Sequence, residues 1–176
     1  YLSRNPNNIP LFLYEKFFYV LFGSSGLWVM QVLNMLYVNL GAVLLYKLSQ
    51  KHFNQKTADL VYLFYVSLIC YSPYFYSMYT DIPPLPLIAL QLWWSLDLLK
   101  ENQAGISWKK MFGLGILSGV TMLIRPTTII VMIAFWAVLF FRGNWKVFGK
   151  IATVTVMTTH GEPYFYRNVM KKVATK

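Results

Sequence analysis

Long apolar runs separated by short polar connections organise this chain. Residues 27–46 carry no formal charge. At about 1.5 Å per residue, roughly 20 helical residues cross a hydrocarbon core of about 30 Å, so the run predicts a transmembrane helix. Residues 58–76 are uncharged from Leu60 onward, and residues 83–99 follow a proline cluster and hold one acid, Asp97, near their end. Both predict further spans. Residues 111–141 are interrupted only by Arg125-Pro126. Proline lacks an N–H and disfavours helix at the residue before it, which divides the run into helices over 110–124 and 127–141. Residues 8–22 are apolar too, but Glu15 and Lys16 stand in their middle, where the bilayer centre makes each costly. An external juxtamembrane helix is expected there, with Leu11, Phe12, Phe18 and Leu21 in the headgroup boundary and the charges in water. A tilted span is the alternative. The expected fold is all-α, a polytopic transmembrane helix bundle over residues 1–150. The polar tail over residues 151–176, with His160 and Glu162, presents no readable motif.

Charge assigns the two sides. Lys47, Lys51 and Lys56 fall in one connection, Lys100, Lys109 and Lys110 in another, and Arg142, Lys146 and Lys150 in a third. The positive-inside bias makes these cytoplasmic. The alternate connections, residues 23–26, residues 71–86 and the Arg125-Pro126 break, hold one basic residue among them and belong outside. Asp81 and Arg125 are therefore expected on the same external side of the cell membrane.

Composition agrees. The chain of 176 residues is 57% hydrophobic and 12% charged, about half the roughly 25% of a soluble domain. Its net charge of +10 would suggest nucleic acid in a soluble protein, but the positions of the basic residues between apolar spans assign it to membrane topology instead. The single cysteine, Cys70, excludes a disulfide framework and reads as buried filler. There is no phosphate-binding glycine loop, no dinucleotide fingerprint and no His/Cys metal spacing, so no cofactor and no metal are expected. The chain begins at Tyr1 rather than Met, which leads us to expect a missing amino-terminal part.

Few residues offer chemistry. Asp81, in the proline-restrained stretch Thr80-Asp81-Ile82-Pro83-Pro84, reads either as a carboxylate for an acceptor, a cation or another active-site group, or as a helix N-cap. Arg125 is the one charge within residues 111–141, and a membrane-edge cation faces an anion or an aqueous cavity. Beside the N–H groups of Thr127 and Thr128 it suits a phosphate; the alternative is an arginine snorkelling to headgroups. Asn5, Asn7 and Asn8 around Pro6 suit either a sugar or a turn. Gln31, Asn34 and Asn39 read as helix-joining residues, and the cluster of Tyr71, Tyr74, Tyr76 and Tyr79 as an interfacial belt.

In order along the chain come Asn-Pro-Asn-Asn at residues 5–8, Leu-Phe-Gly at 21–23, a span ending in a basic turn, Thr80-Asp81, and a glycine-rich span ending in Arg125-Pro126-Thr127. This order resembles the GT-C glycosyltransferases, particularly the bacterial members similar to protein O-mannosyltransferases and to the aminoarabinose transferase of lipid A. The resemblance implies a GT-C-like membrane enzyme that moves a sugar from a polyprenyl-phosphate carrier to an acceptor (glycan, lipid or protein) on the external face. Its partners would be that lipid-linked sugar and the membrane lipids, with no nucleic acid. By resemblance Arg125 takes the place of a basic residue near the carrier phosphate, Asp81 matches an acidic residue at the external end of a span and is assigned binding or positioning, and Arg4 or Asn7 stands where relatives have a basic or His residue. The general base of the relatives lies in an earlier external loop, so it is expected upstream of Tyr1, and the fragment alone is expected to be inactive. A non-catalytic membrane subunit and a transporter or flippase of lipid-linked sugar remain the alternatives; the latter predicts an internal repeat, and none is seen.

Overall fold

The computed structural model describes residues 9–72, 81–100 and 108–141, together with Gly149 and Thr153. Described segments fold into six α-helices: α1 (Ile9–Phe22), α2 (Gly26–His52), α3 (Gln55–Cys70), α4 (Leu85–Lys100), α5 (Trp108–Ile124) and α6 (Ile129–Phe141). No strand occurs among the described residues.

A one-turn 3-10 segment, Gly23–Ser25, reverses the chain between α1 and α2. Gly23 takes φ of 55°, a left-handed conformation that residues with a Cβ disfavour. Gly26 then lets the two backbones close up, because a Cβ there would stand 3.0 Å from the Phe18 carbonyl oxygen. As a result α1 runs back along α2, bringing Pro10, Leu11 and Tyr14 beside Tyr37, Leu40 and Leu44.

At its other end α2 stops at Phe53, whose amide bonds to the Ser49 carbonyl, and Lys51 and His52 in the last turn suit the negative helix end. Asn54 caps α3 by accepting from the Thr57 amide at 2.8 Å, so the chain turns back with no polar backbone wasted. Tyr65 ties the resulting hairpin, its hydroxyl donating to the Val38 carbonyl at 3.1 Å.

The fourth helix lies parallel to α2. Leu85 starts it beside Gly41, and Asp97 meets Lys51 near its end. Because α4 begins level with Gly41, the earlier part of α2 extends past it, and α1 runs alongside α2 from Gly26 to Leu44. This sets α1 at the same end of the bundle as Asp81 and Arg125. α5 returns antiparallel to α4 and α6 turns back again, and Leu98, Met111, Leu114, Met132, Phe135 and Leu139 form the core they share.

The distribution of polarity is inverted relative to a water-soluble protein. Asn34, Gln91, Ser95, Ser118, Thr121 and Thr128 are buried, whereas Phe17, Trp28, Leu36, Leu63, Phe64 and Ile133 are exposed. Such wide apolar faces suit lipid, and Gln91 bonds between helices to Ser118 and Thr121. Gln91 Nε2 donates to Ser118 Oγ at 3.0 Å, and the Ser118 hydroxyl donates to the Leu114 carbonyl at 2.7 Å. Asn34 is buried as a helix-joining residue should be, but Asn39 is exposed and donates to Met35 of its own helix. Among the described residues, the run Ile9–His52, which holds α1 and α2, contains the one stretch long and apolar enough by length and composition to cross a bilayer. On α1, Leu11 turns into the bundle while Phe12, Lys16 and Leu21 are exposed.

Candidate functional site

The site is built where the chain cannot stay helical. Pro126 forces Arg125 out of the helical region, to φ of −144° and ψ of 104°, so α5 ends at Ile124. The Arg125 backbone is nonetheless fixed from both sides. Its amide donates to the Thr121 carbonyl at 2.9 Å, and its carbonyl accepts from the Thr128 amide at 3.0 Å and the Thr128 hydroxyl at 2.8 Å. The Thr128 N–H is thus committed to the 3-10 turn Pro126–Thr128, which corrects the expectation that it would be open to a phosphate.

Asp81 approaches from the turn before α4. The Leu85 amide donates to the Ile82 carbonyl and the Ile88 amide to the Pro84 carbonyl, with Ile82 and Pro84 buried beneath. The helix begins only at Leu85, too far along the chain for Asp81 to cap it. Its carboxylate is instead ion-paired, with Oδ1 2.7 Å from Arg125 Nε. The Arg125 and Asp81 side chains are 24% and 41% exposed, so both are partly accessible, although the paired Nε atom is buried.

An apolar cavity of about 420 Å³ is lined by close chain neighbours of this pair, though not by Asp81 or Arg125 themselves. Pro83 from the Asp81 turn and Ile124 from the residue before Arg125 line it, with Leu40 and Leu44 of α2 and Leu87 and Leu90 of α4. Tyr14 and Tyr37 are the polar-tipped members of its lining. The combination is a charged pair at the edge of a greasy groove.

A second polar cluster lies at the opposite end of the bundle. Lys51 Nζ stands 2.7 Å from Asp97 Oδ2, His52 Nε2 stands 3.0 Å from Asp97 Oδ1, and the Trp93 indole donates to Oδ2 at 3.1 Å. Lys51 also sits 5.2 Å from the centre of a Trp93 ring. The cluster clamps α2 to α4, and sequence reasoning missed it; the one available signal was the spacing of Trp93 and Asp97 on a single helix face. Lys109 and Lys110 lie nearby, lining a cavity of about 350 Å³ with Trp94, Asp97 and Leu98. The structure thus keeps these basic residues together at the end away from Asp81 and Arg125.

Of the four residues assigned to substrate, Asp81 and Arg125 are brought into contact, while Arg4 and Asn7 lie outside the described residues. Asn5, Asn8, Tyr74, Tyr76, Tyr79, the side chain of Cys70, and the tail apart from Thr153 lie outside them as well. Tyr71 is described and exposed. No group of three or more metal-ligating side chains occurs among the described residues.

An all-helical bundle with buried amides and hydroxyls and wide exposed apolar faces has the architecture of a membrane protein. The chain belongs to the dolichyl-phosphate-mannose-protein mannosyltransferase family, whose model matches residues 9–160. This is a family of membrane-embedded glycosyltransferases of the GT-C type. A separate short likeness is to tyrosine recombinase XerS from Streptococcus equi, in subsp. zooepidemicus strain MGCS10565 and in subsp. equi strain 4047. Each is 74% identical over 27 residues, which is 15% of this chain and 8% of the recombinase. The chain therefore spans under a tenth of the length of those recombinases. No solved structure matches this chain.

Proposed function

We propose that this chain is part of a multi-pass membrane glycosyltransferase that takes a sugar from a polyprenyl-phosphate carrier and transfers it to an acceptor on the external face. The observation that carries this reading is the adjacency of Arg125 to the apolar groove: Ile124 lines the groove and the next residue supplies a guanidinium. A carrier of this class has the matching shape, a long hydrocarbon joined to a phosphate.

In such a transfer the bond between the sugar and the phosphate oxygen breaks, and the phosphate departs with added negative charge. A fixed guanidinium stabilises that charge as it develops. Proline geometry and the Thr121 and Thr128 hydrogen bonds hold the Arg125 backbone before any ligand arrives, so little reorganisation is required during reaction. The acceptor oxygen bonds to the anomeric carbon of the sugar as its hydroxyl loses its proton to a carboxylate base. Asp81 binds or positions the reactants beside the leaving phosphate.

Arg125→Ala in the complete protein tests this reading. Carrier-dependent sugar transfer is expected to disappear while membrane insertion stays intact; near-normal transfer overturns the phosphate role.

A further inference from the structure

The Asp81–Arg125 pair joins two turns whose backbones are each held by other bonds. Both side chains are partly exposed, with the Asp81 carboxylate the more accessible of the two, and ion pairs reached by water hold only weakly. The pair is also not needed to hold either backbone. Arg125 is fixed through its own amide and carbonyl, and the Asp81 turn through Ile82, Pro84 and the first turn of α4. Opening the pair therefore leaves the surrounding fold unmoved.

A phosphate competes well for such a guanidinium, since it can accept two parallel N–H bonds where Asp81 approaches through one oxygen at Nε. The carboxylate has the advantage of being tethered in the same chain. A carrier offsets that advantage by burying hydrocarbon in the groove lined by Pro83, Leu87, Leu90 and Ile124. A free phosphate without a tail has no such compensation.

Resting on the reading of Arg125 as the phosphate site, we propose that Asp81 and the carrier phosphate exchange on Arg125. The ion pair is the resting state. Arrival of the carrier releases the Asp81 carboxylate, which then becomes available to the acceptor. Binding is consequently ordered, with the carrier first and the acceptor second, and Asp81 withheld from acceptors until a phosphate is in place.

The test measures binding of polyprenyl phosphate, without a sugar, to the complete protein in lipid nanodiscs. Asp81→Asn removes the competitor and is expected to tighten binding about three- to five-fold, the latter being about 1 kcal/mol. Asp81→Glu restores the competition and returns the affinity toward that of wild type. Sugar transfer by Asp81→Asn falls despite the tighter binding, with a raised KM for the acceptor. Unchanged or weaker carrier binding by Asp81→Asn overturns the exchange, as does failure of this variant to fold, which would make the pair a strut. Arg125→Gln separates the two ideas. If it leaves polyprenyl phosphate binding unchanged, the phosphate reading itself fails; if it weakens binding and Asp81→Asn does not tighten it, only the exchange is lost.

Discussion

Asp81 Oδ1 and Arg125 Nε stand 2.7 Å apart, joining the turn before α4 to the break between α5 and α6. The pair brings together an acid and a cation whose chain neighbours Pro83 and Ile124 line one apolar groove. What Arg125 contributes can be divided between charge and shape. A lysine ammonium carries the same positive charge without the planar fork, and a point charge supplies much of the attraction to a phosphate. Arg125→Lys is expected to keep transfer within about tenfold of wild type. Arg125→Gln, which keeps hydrogen-bonding capacity but no charge, is expected to lose about 10²–10³ in kcat, the magnitude typical of removing one stabilising group from a developing anion. Turnover of a polyprenyl-phosphate sugar by membranes containing each variant decides between charge and geometry.

Helix order and the division at Arg125-Pro126 were legible because they rest on local rules: apolar length, and the restriction proline places on its predecessor. Charge bias also put Asp81 and Arg125 on one side. Their contact was not legible, because it depends on how α4 and α5 pack, and hydropathy carries no register between helices. The N-cap expectation for Asp81 failed because Pro83 and Pro84 extend the turn and delay helix until Leu85. Residues Lys51 and Asp97 are 46 apart in sequence, and their meeting follows from the parallel packing of α2 and α4. Gly41 carried a readable hint of that packing, since a glycine in a long apolar helix often marks close approach.

That glycine supports a stability prediction. A Cβ at position 41 would meet the Tyr65 hydroxyl oxygen at 2.8 Å and Leu85 Cβ at 3.5 Å. Gly41→Ala is expected to destabilise the bundle by about 1–3 kcal/mol, the range for forcing extra volume into a packed contact. Most of that cost comes from the Tyr65 oxygen, so Gly41→Ala with Tyr65→Phe should recover much of it even though the bond to Val38 is gone. Thermal melting of the four proteins in detergent measures the coupling, and equal destabilisation of single and double variants would locate the clash elsewhere.

At the other end, Asp97 holds three partners, and replacements should separate charge from hydrogen bonding. Lys51 and Asp97 are 49% and 33% exposed, so losing their attraction costs about 1 kcal/mol or less. Asp97→Asn keeps an acceptor for the Trp93 indole and is expected to stay within that amount. Asp97→Ala also removes the acceptor beside the buried His52 ring, which is 2% exposed, and is expected to cost a further 1–3 kcal/mol. A difference between the two melting temperatures of several degrees would show that burial of His52, rather than the Lys51 ion pair, makes the clamp matter.

The buried amide of Gln91 gives a test of how α4 and α5 are joined. It reaches Ser118 at 3.0 Å, but the Ser118 hydroxyl also donates to Leu114 and the Thr121 hydroxyl donates to Leu117, each within its own helix. Removing the amide therefore leaves both hydroxyl protons satisfied. Interhelical bonds of this kind in membranes average about 0.6 kcal/mol, so Gln91→Leu should cost no more than about 1 kcal/mol. Gln91→Ala loses the same bond and opens a void, which raises the expected cost to about 2 kcal/mol or more. Melting curves showing equal losses for the two would mean that the bond, not the packing, holds these helices together.

Sidedness follows from the same arrangement and can be checked without any assay of transfer. The bundle separates Asp81 and Arg125 from Lys109 and Lys110, and charge bias puts the lysine end inside the cell. Asp81 is 41% exposed at its side chain, enough for a cysteine in its place to react with a membrane-impermeant thiol reagent. In a background with Cys70 and any other cysteine replaced, Asp81→Cys should label on intact cells. Lys109→Cys, also exposed, should label only after the membrane is opened. The reverse pattern would put the charged pair in the cytoplasm, and carrier-dependent transfer at the external face could not then use Arg125.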